Sequence, residues 1–139
     1  VPLDALDPAT LLGAWTFSRV IDDHQAGDEK LVEGTAEFAR ADAGRIRWAE
    51  SGTLHVGGQE LPVMRTSYIE PRGDGWFVTF EDGRDFHPWA PGEAVDHHCG
   101  ADLYSGQITA TGPVGSFTVR WRVTGPKKDY TMTTVLTRG

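Results

Sequence analysis

From Gly13 to the C-terminus the chain alternates apolar and polar residues with a period of two, and this alternation limits what it can fold into. Successive side chains of a strand point to opposite faces, so a period of two gives each strand one dry face and one wet face. The run from Gly13 to Asp22 is the clearest case: Trp15, Phe17, Arg19 and Ile21 share one face, and Thr16, Ser18 and Val20 the other. A second strand, Lys30 to Arg40, puts Val32, Gly34, Ala36 and Phe38 together. A third, Arg45 to Val56, does the same with Ile46, Trp48 and Glu50. Near the C-terminus, Phe117, Val119, Trp121 and Val123 point inward from Gly115 to Thr124, and Asp129 to Arg138 forms the last strand.

Turn residues divide the rest. Gly57-Gly58 is a strong two-residue hairpin signal. Gln59 to Glu70 follows as a fourth strand, broken or edged at Pro62 because proline cannot donate to a ladder. Trp76 to Glu81 and Arg84 to Trp89 are strands joined through Asp82-Gly83. Val95 to Tyr104 and Gln107 to Thr111 read as one bent strand or two. The helical signal is confined to a single turn, in which Asp7 caps, Pro8 takes the first position and Ala9 to Leu12 lead to Gly13.

That makes roughly eight to ten short strands, with no helix long enough for a parallel crossover. The predicted fold is all-β: a closed antiparallel up-and-down barrel with a short N-terminal helical turn. Closure removes both edges of a long meander. A two-sheet sandwich is the second choice. A length of 139 residues suits one barrel domain over residues 1–139.

Charge and cysteine content narrow the partners. A net charge of −7 argues against nucleic acid, which needs a clustered cationic surface; Arg120, Arg122, Lys127 and Lys128 make only a small patch. No apolar run approaches the ~20 residues of a membrane span, so no membrane partner is expected. Cys99 is alone and no secretion signal is visible, so the expected setting is reducing and cytoplasmic. No phosphate loop, dinucleotide fingerprint or nucleophile elbow occurs, and no cofactor is expected.

Short motifs carry a resemblance. Leu12-Gly13-x-Trp15, just after the helical turn, resembles the opening of calycin-type barrels, the lipocalins, fatty-acid-binding proteins and their relatives. Phe86-His87-Pro88-Trp89, His98-Cys99-x-x-Asp102-x-Tyr104 and Trp121-x-Val123-x-Gly125-Pro126-x-Lys128-Asp129-Tyr130 resemble an uncharacterised, mostly bacterial family of lipocalin-like domains. The resemblance covers nearly the whole chain and implies the barrel fold, but that family brings no assigned activity.

Several residues have the chemistry for a site. Arg19 lies among apolar neighbours on an inward face, as does Glu50. A buried charge must be paired or must hold a counter-ion. Arg19 is therefore either a clamp for a ligand carboxylate or the partner of Glu50 in an internal ion pair. His87, Asp96, His97, His98 and Cys99 invite a metal reading, yet alternation sends His97 and Cys99 one way and His98 the other, so no bound metal is expected. His98, Asp102 and Tyr104 share a face if the strand is regular, giving either an acid–base trio or a polar plug. Lys128 is placed to pair with Asp102 or Asp129 at a rim. Trp15, Trp48 and Trp121 either fill the barrel or line a cavity in it. The expected function is binding of a small hydrophobic or aromatic ligand with an anionic or hydrogen-bonding group, through Trp15, Arg19, Trp48, Glu50, His98, Asp102, Tyr104 and Trp121. The alternatives are a cofactor-independent isomerase, cyclase or lyase and a non-catalytic interaction module.

Overall fold

The computed structural model describes residues 7–110 and 115–139. Its strands are β1 (Gly13–Asp23), β2 (Asp28–Arg40), β3 (Ile46–Val56), β4 (Gln59–Arg72), β5 (Gly75–Phe80), β6 (Asp85–Pro88), β7 (Ala94–Cys99), β8 (Asp102–Thr109), β9 (Ser116–Gly125) and β10 (Lys128–Arg138). They form one antiparallel sheet in the order β6-β5-β4-β3-β2-β1-β10-β9-β8-β7. The first and last strands pair from Trp15 opposite Arg138 to Asp23 opposite Tyr130, which curls the meander into a barrel. The edges left over, β6 and β7, lie beside each other without a hydrogen-bonded ladder, so the barrel is closed except at one seam.

The alternation becomes the core. Trp15, Phe17, Val32, Phe38, Ile46, Trp48, Phe117 and Leu136 are all buried, each from a strand face with wet neighbours on either side. One end of the barrel is solid. There Trp15 packs edge-on against Phe38 and Phe117, with ring centroids 5.9 and 5.3 Å away, and Trp48 lies 5.1 Å from Phe38.

A 3₁₀ turn at Pro8–Leu11 lids this end. Asp7 caps it by accepting from the Ala9 N–H at 2.9 Å, and the Leu11 carbonyl accepts the Trp15 indole N–H at 2.7 Å. Arg138, the last residue of β10, closes the junction. Its guanidinium lies 4.5 Å from the Trp15 ring centroid and donates to the carbonyls of Leu12 at 3.0 Å and Thr10 at 2.6 Å.

The structure corrects the sequence reading between Val95 and Thr111. The chain reverses at Gly100-Ala101, and β7 and β8 form a hairpin in which Cys99 faces Asp102 and His97 faces Tyr104. Gly100 takes φ 61°, a conformation only glycine adopts freely, at the first position of a two-residue turn. His98 therefore lies opposite Leu103, on a different strand from Asp102 and Tyr104, and the expected row of His98, Asp102 and Tyr104 does not exist. The expected strand end at Thr111 lies outside the described residues. Pro62 sits where β4 has β3 on one side only, since β5 pairs with β4 from Ser67 to Arg72. Among the described residues no helix is long and apolar enough to cross a membrane.

Candidate functional site

The barrel is hollow at the end away from the 3₁₀ lid. A cavity of about 620 Å³ opens there, between the β5–β6 and β7–β8 turns. That volume is in the range of small-molecule sites. Its floor is Trp121 on β9 and Met132 on β10; its walls are Phe80, Phe86, His97 and Tyr104. Arg65 on β4 enters from the side.

The seam shapes the wall. With no ladder joining β6 to β7, side chains fill the gap. Phe86 of β6 stacks between Phe80, at 4.6 Å and 14°, and Trp121, at 5.0 Å and 15°. His97 of β7 meets Phe86 edge-on at 5.1 Å. The Trp121 ring can lie there only because β8 has no side chain opposite it: a Cβ on Gly106 would fall 2.3 Å from the indole. His87 and Tyr104 also meet Phe86 at steep angles, so the wall is a cluster of edge-to-face rings. Ring edges carry partial positive charge and favour the face of another π-system.

Beneath the wall lie the interior charges. Arg19 donates through one nitrogen to both Glu50 oxygens, at 2.9 and 3.1 Å, and through Nε to Thr134 Oγ1 at 2.7 Å. The ion pair with Glu50 satisfies the buried Arg19 charge from within the protein. Arg65 stands directly across the β3–β4 ladder from Glu50, with Nε 3.5 Å from the carboxylate. It makes no other close polar contact among the described residues. Its position explains two properties that otherwise conflict. It lies deep enough that burial pulls its pKa below the ordinary arginine value, opposed by Glu50 and reinforced by Arg19. Yet 43% of its side chain is exposed, since it borders both the large cavity and an open surface groove beside Met64 and Glu81. One carboxylate between two guanidiniums leaves this group with one positive charge in excess.

His87 sits beside this group. It is buried, and its Nδ1 pairs with the Pro88 carbonyl at 2.8 Å. Burial holds its pKa down at about 4, the Pro88 bond opposes the fall, and His97 and Arg65 add to it. The folded protein therefore keeps His87 neutral at a pH where the unfolded chain binds a proton. Stability contributed by neutral His87 is complete above the unfolded value near 6.5 and is lost as pH falls toward 4. We expect unfolding to take up as much as about one extra proton in this window, read from the pH dependence of urea midpoints. His87→Leu should flatten that slope; an unchanged slope would remove His87 as its source.

The expected site residues separate into four groups. His98, Tyr104 and Trp121 line the large cavity, His98 at its mouth beside the exposed Cys99. Arg19 and Glu50 border a void of about 40 Å³ that shares Arg65 with it. Trp15 and Trp48 do not line the cavity, because the 3₁₀ turn and its aromatic neighbours fill their end of the barrel. Asp102 is at the rim, 3.1 Å from Lys128. Sequence reasoning missed Arg65, Phe80, Phe86, His97, Tyr130 and Met132. Among the described residues no three of His, Cys, Asp and Glu come together as a metal set.

The fold and cavity define a calycin-like barrel. The chain belongs to a family of unknown function, DUF6314, whose model matches residues 11–138. Its structure is similar to the S-type phycobiliprotein lyase CPES from Guillardia theta, at 8% identity and a TM-score of 0.59, covering 92% of this chain and 88% of that one. It is also similar to a redesigned β-barrel, mFAP1, bound to DFHBI, at 15% identity and a TM-score of 0.49, covering 94% and 97% of the two chains. No curated protein matches the sequence.

Proposed function

We propose that this barrel binds a small conjugated or aromatic molecule bearing a carboxylate. The observation that carries the reading is Arg65: a guanidinium inside the barrel, facing an open cavity, in a group with one more positive charge than negative. Glu50 already takes two short bonds from Arg19, so the half-exposed Arg65 guanidinium is free to take a further anion. An entering carboxylate supplies the missing charge and meets a planar fork of donors suited to it. The ring edges of Phe86 and its neighbours favour a ligand that presents a π-face. The shared barrel fold brings no ligand or reaction with it, so the site alone supports the reading.

The test is titration of tryptophan fluorescence, since Trp121 is in the floor. Aryl and polyene carboxylic acids should bind and quench. Their methyl esters, of nearly equal shape but uncharged, should bind about tenfold or more weakly. Equal binding of acid and ester would remove Arg65 from the argument, and no binding by either would end the reading.

A further inference from the structure

The mouth of the cavity carries a polar cluster that the carboxylate does not use. Strand register builds it in two rows across β8, β9 and β10. In the inner row, Tyr104 lies opposite Val123 and Val123 opposite Tyr130. Val123 is fully buried, so this row faces into the barrel, and both phenols line the cavity. In the outer row, Gly125 lies opposite Lys128. A Cβ on Gly125 would fall 2.0 Å from Asp102 Oδ1, so the bare glycine is what lets Asp102 reach across to Lys128 Nζ at 3.1 Å. Held there, Lys128 donates to the Tyr104 hydroxyl at 3.3 Å.

Counting donors and acceptors leaves a surplus. Lys128 only donates, so the Tyr104 oxygen must accept from it. Tyr104 and Tyr130 are close enough for Tyr104 to raise the Tyr130 phenol. Each phenol still carries a hydrogen to donate, and both phenols line the cavity. Burial and Tyr104 push the Tyr130 phenol up to about 12, so it remains a donor at neutral pH. Asp102 already offsets the Lys128 charge, so this corner suits a neutral oxygen better than a second carboxylate.

The geometry points to a second subsite: Tyr104 and Tyr130, backed by Lys128, form a hydrogen-bonding pocket for a carbonyl oxygen at the outer end of the same ligand. The inference rests on the proposed carboxylate site at Arg65 and extends it. The ligand is two-headed, with a carboxylate at Arg65 and a ketone or aldehyde at the phenols, joined by a conjugated segment that crosses the ring edges of the wall. Lys128 is a positioning residue, acting by orienting the Tyr104 hydroxyl.

The probes are 4-acetylbenzoate, 4-acetylcinnamate and the corresponding dienoate, which set three spacings between carboxylate and ketone. Each is compared with an isopropenyl isostere, in which CH₂ replaces the ketone oxygen. At the matching length the keto acid should bind about tenfold tighter than its isostere, one net hydrogen bond's worth. A ¹³C label at the ketone should show its infrared stretch shifted below the value in water. The Tyr104→Phe/Tyr130→Phe variant should lose both the preference and the shift, so that keto acid and isostere bind it alike. Lys128→Met should reduce both. Unchanged thermal melts establish that these variants fold. If acids bind and discriminate against their esters, but keto acid and isostere bind alike at all three lengths with no shift, the carbonyl subsite is wrong and the carboxylate reading stands. If no acid binds the wild-type protein, both fall together.

Discussion

Arg19→Met should destabilise the protein by about 3 kcal/mol, read as a fall in urea midpoint at unchanged m-value. The substitution fits the space well, so the loss comes from what it leaves behind. The Glu50 carboxylate is only 3% exposed and receives both of its short charged hydrogen bonds from Arg19. Removing one partner of a buried pair costs ~3–5 kcal/mol, because the other charge stays in the interior. The lower end applies here, since Arg65 is 3.5 Å from the same carboxylate and can take up part of the charge. Thr134 Oγ1 loses a donor as well. A second substitution separates the causes. Arg19→Met/Glu50→Leu removes the stranded charge and should recover most of the loss. If the double variant is as unstable as the single one, packing and not charge was responsible.

This pair was legible in the sequence because alternation alone places it. Arg19 lies between Phe17 and Ile21 and Glu50 follows Ile46 and Trp48, so inward faces need no knowledge of which strands touch. Arg65 needed one more step. The turn at Gly57-Gly58 sets the β3–β4 register with Val56 opposite Gln59; six residues further along each strand, Glu50 meets Arg65. The signal was present, but face alternation on one strand does not show it. The region around Gly100 failed for a different reason. His98-Cys99-Gly100-Ala101-Asp102 has none of the Asn-Gly, Asp-Gly or Gly-Gly pairs that announce a hairpin. An unmarked reversal exchanges His98 for His97 as the neighbour of Tyr104. Of the aromatic lining, Tyr104 and Trp121 were legible and Phe86 was not. Phe86 has inward-facing His87 as its neighbour and sits on a four-residue strand, too short to show a period. It turns into the cavity because it is the extra residue of a β-bulge: Val78 faces His87 and Thr79 faces Asp85, which leaves Phe86 unpaired and re-aimed.

Arg65→Met should do the opposite of Arg19→Met, although both arginines face the same carboxylate. Binding of an aryl or polyene acid should weaken about a hundredfold, equivalent to ~2.7 kcal/mol, the scale of charged hydrogen bonds lost at a shielded site. Stability should change little, because 43% of the Arg65 side chain is exposed and water already screens its charge. The reason is the balance of interior charge. Glu50 keeps its two bonds to Arg19, so no carboxylate is stranded. What disappears is the excess positive charge, held in the barrel against the pull of burial, and thioether surface at the cavity wall takes its place. The paired measurement is decisive. Loss of acid binding with stability kept or gained makes Arg65 the ligand's counter-charge. Loss of stability comparable to that of Arg19→Met would make Arg65 a second structural partner of Glu50, and the carboxylate reading would lose the charge that carries it.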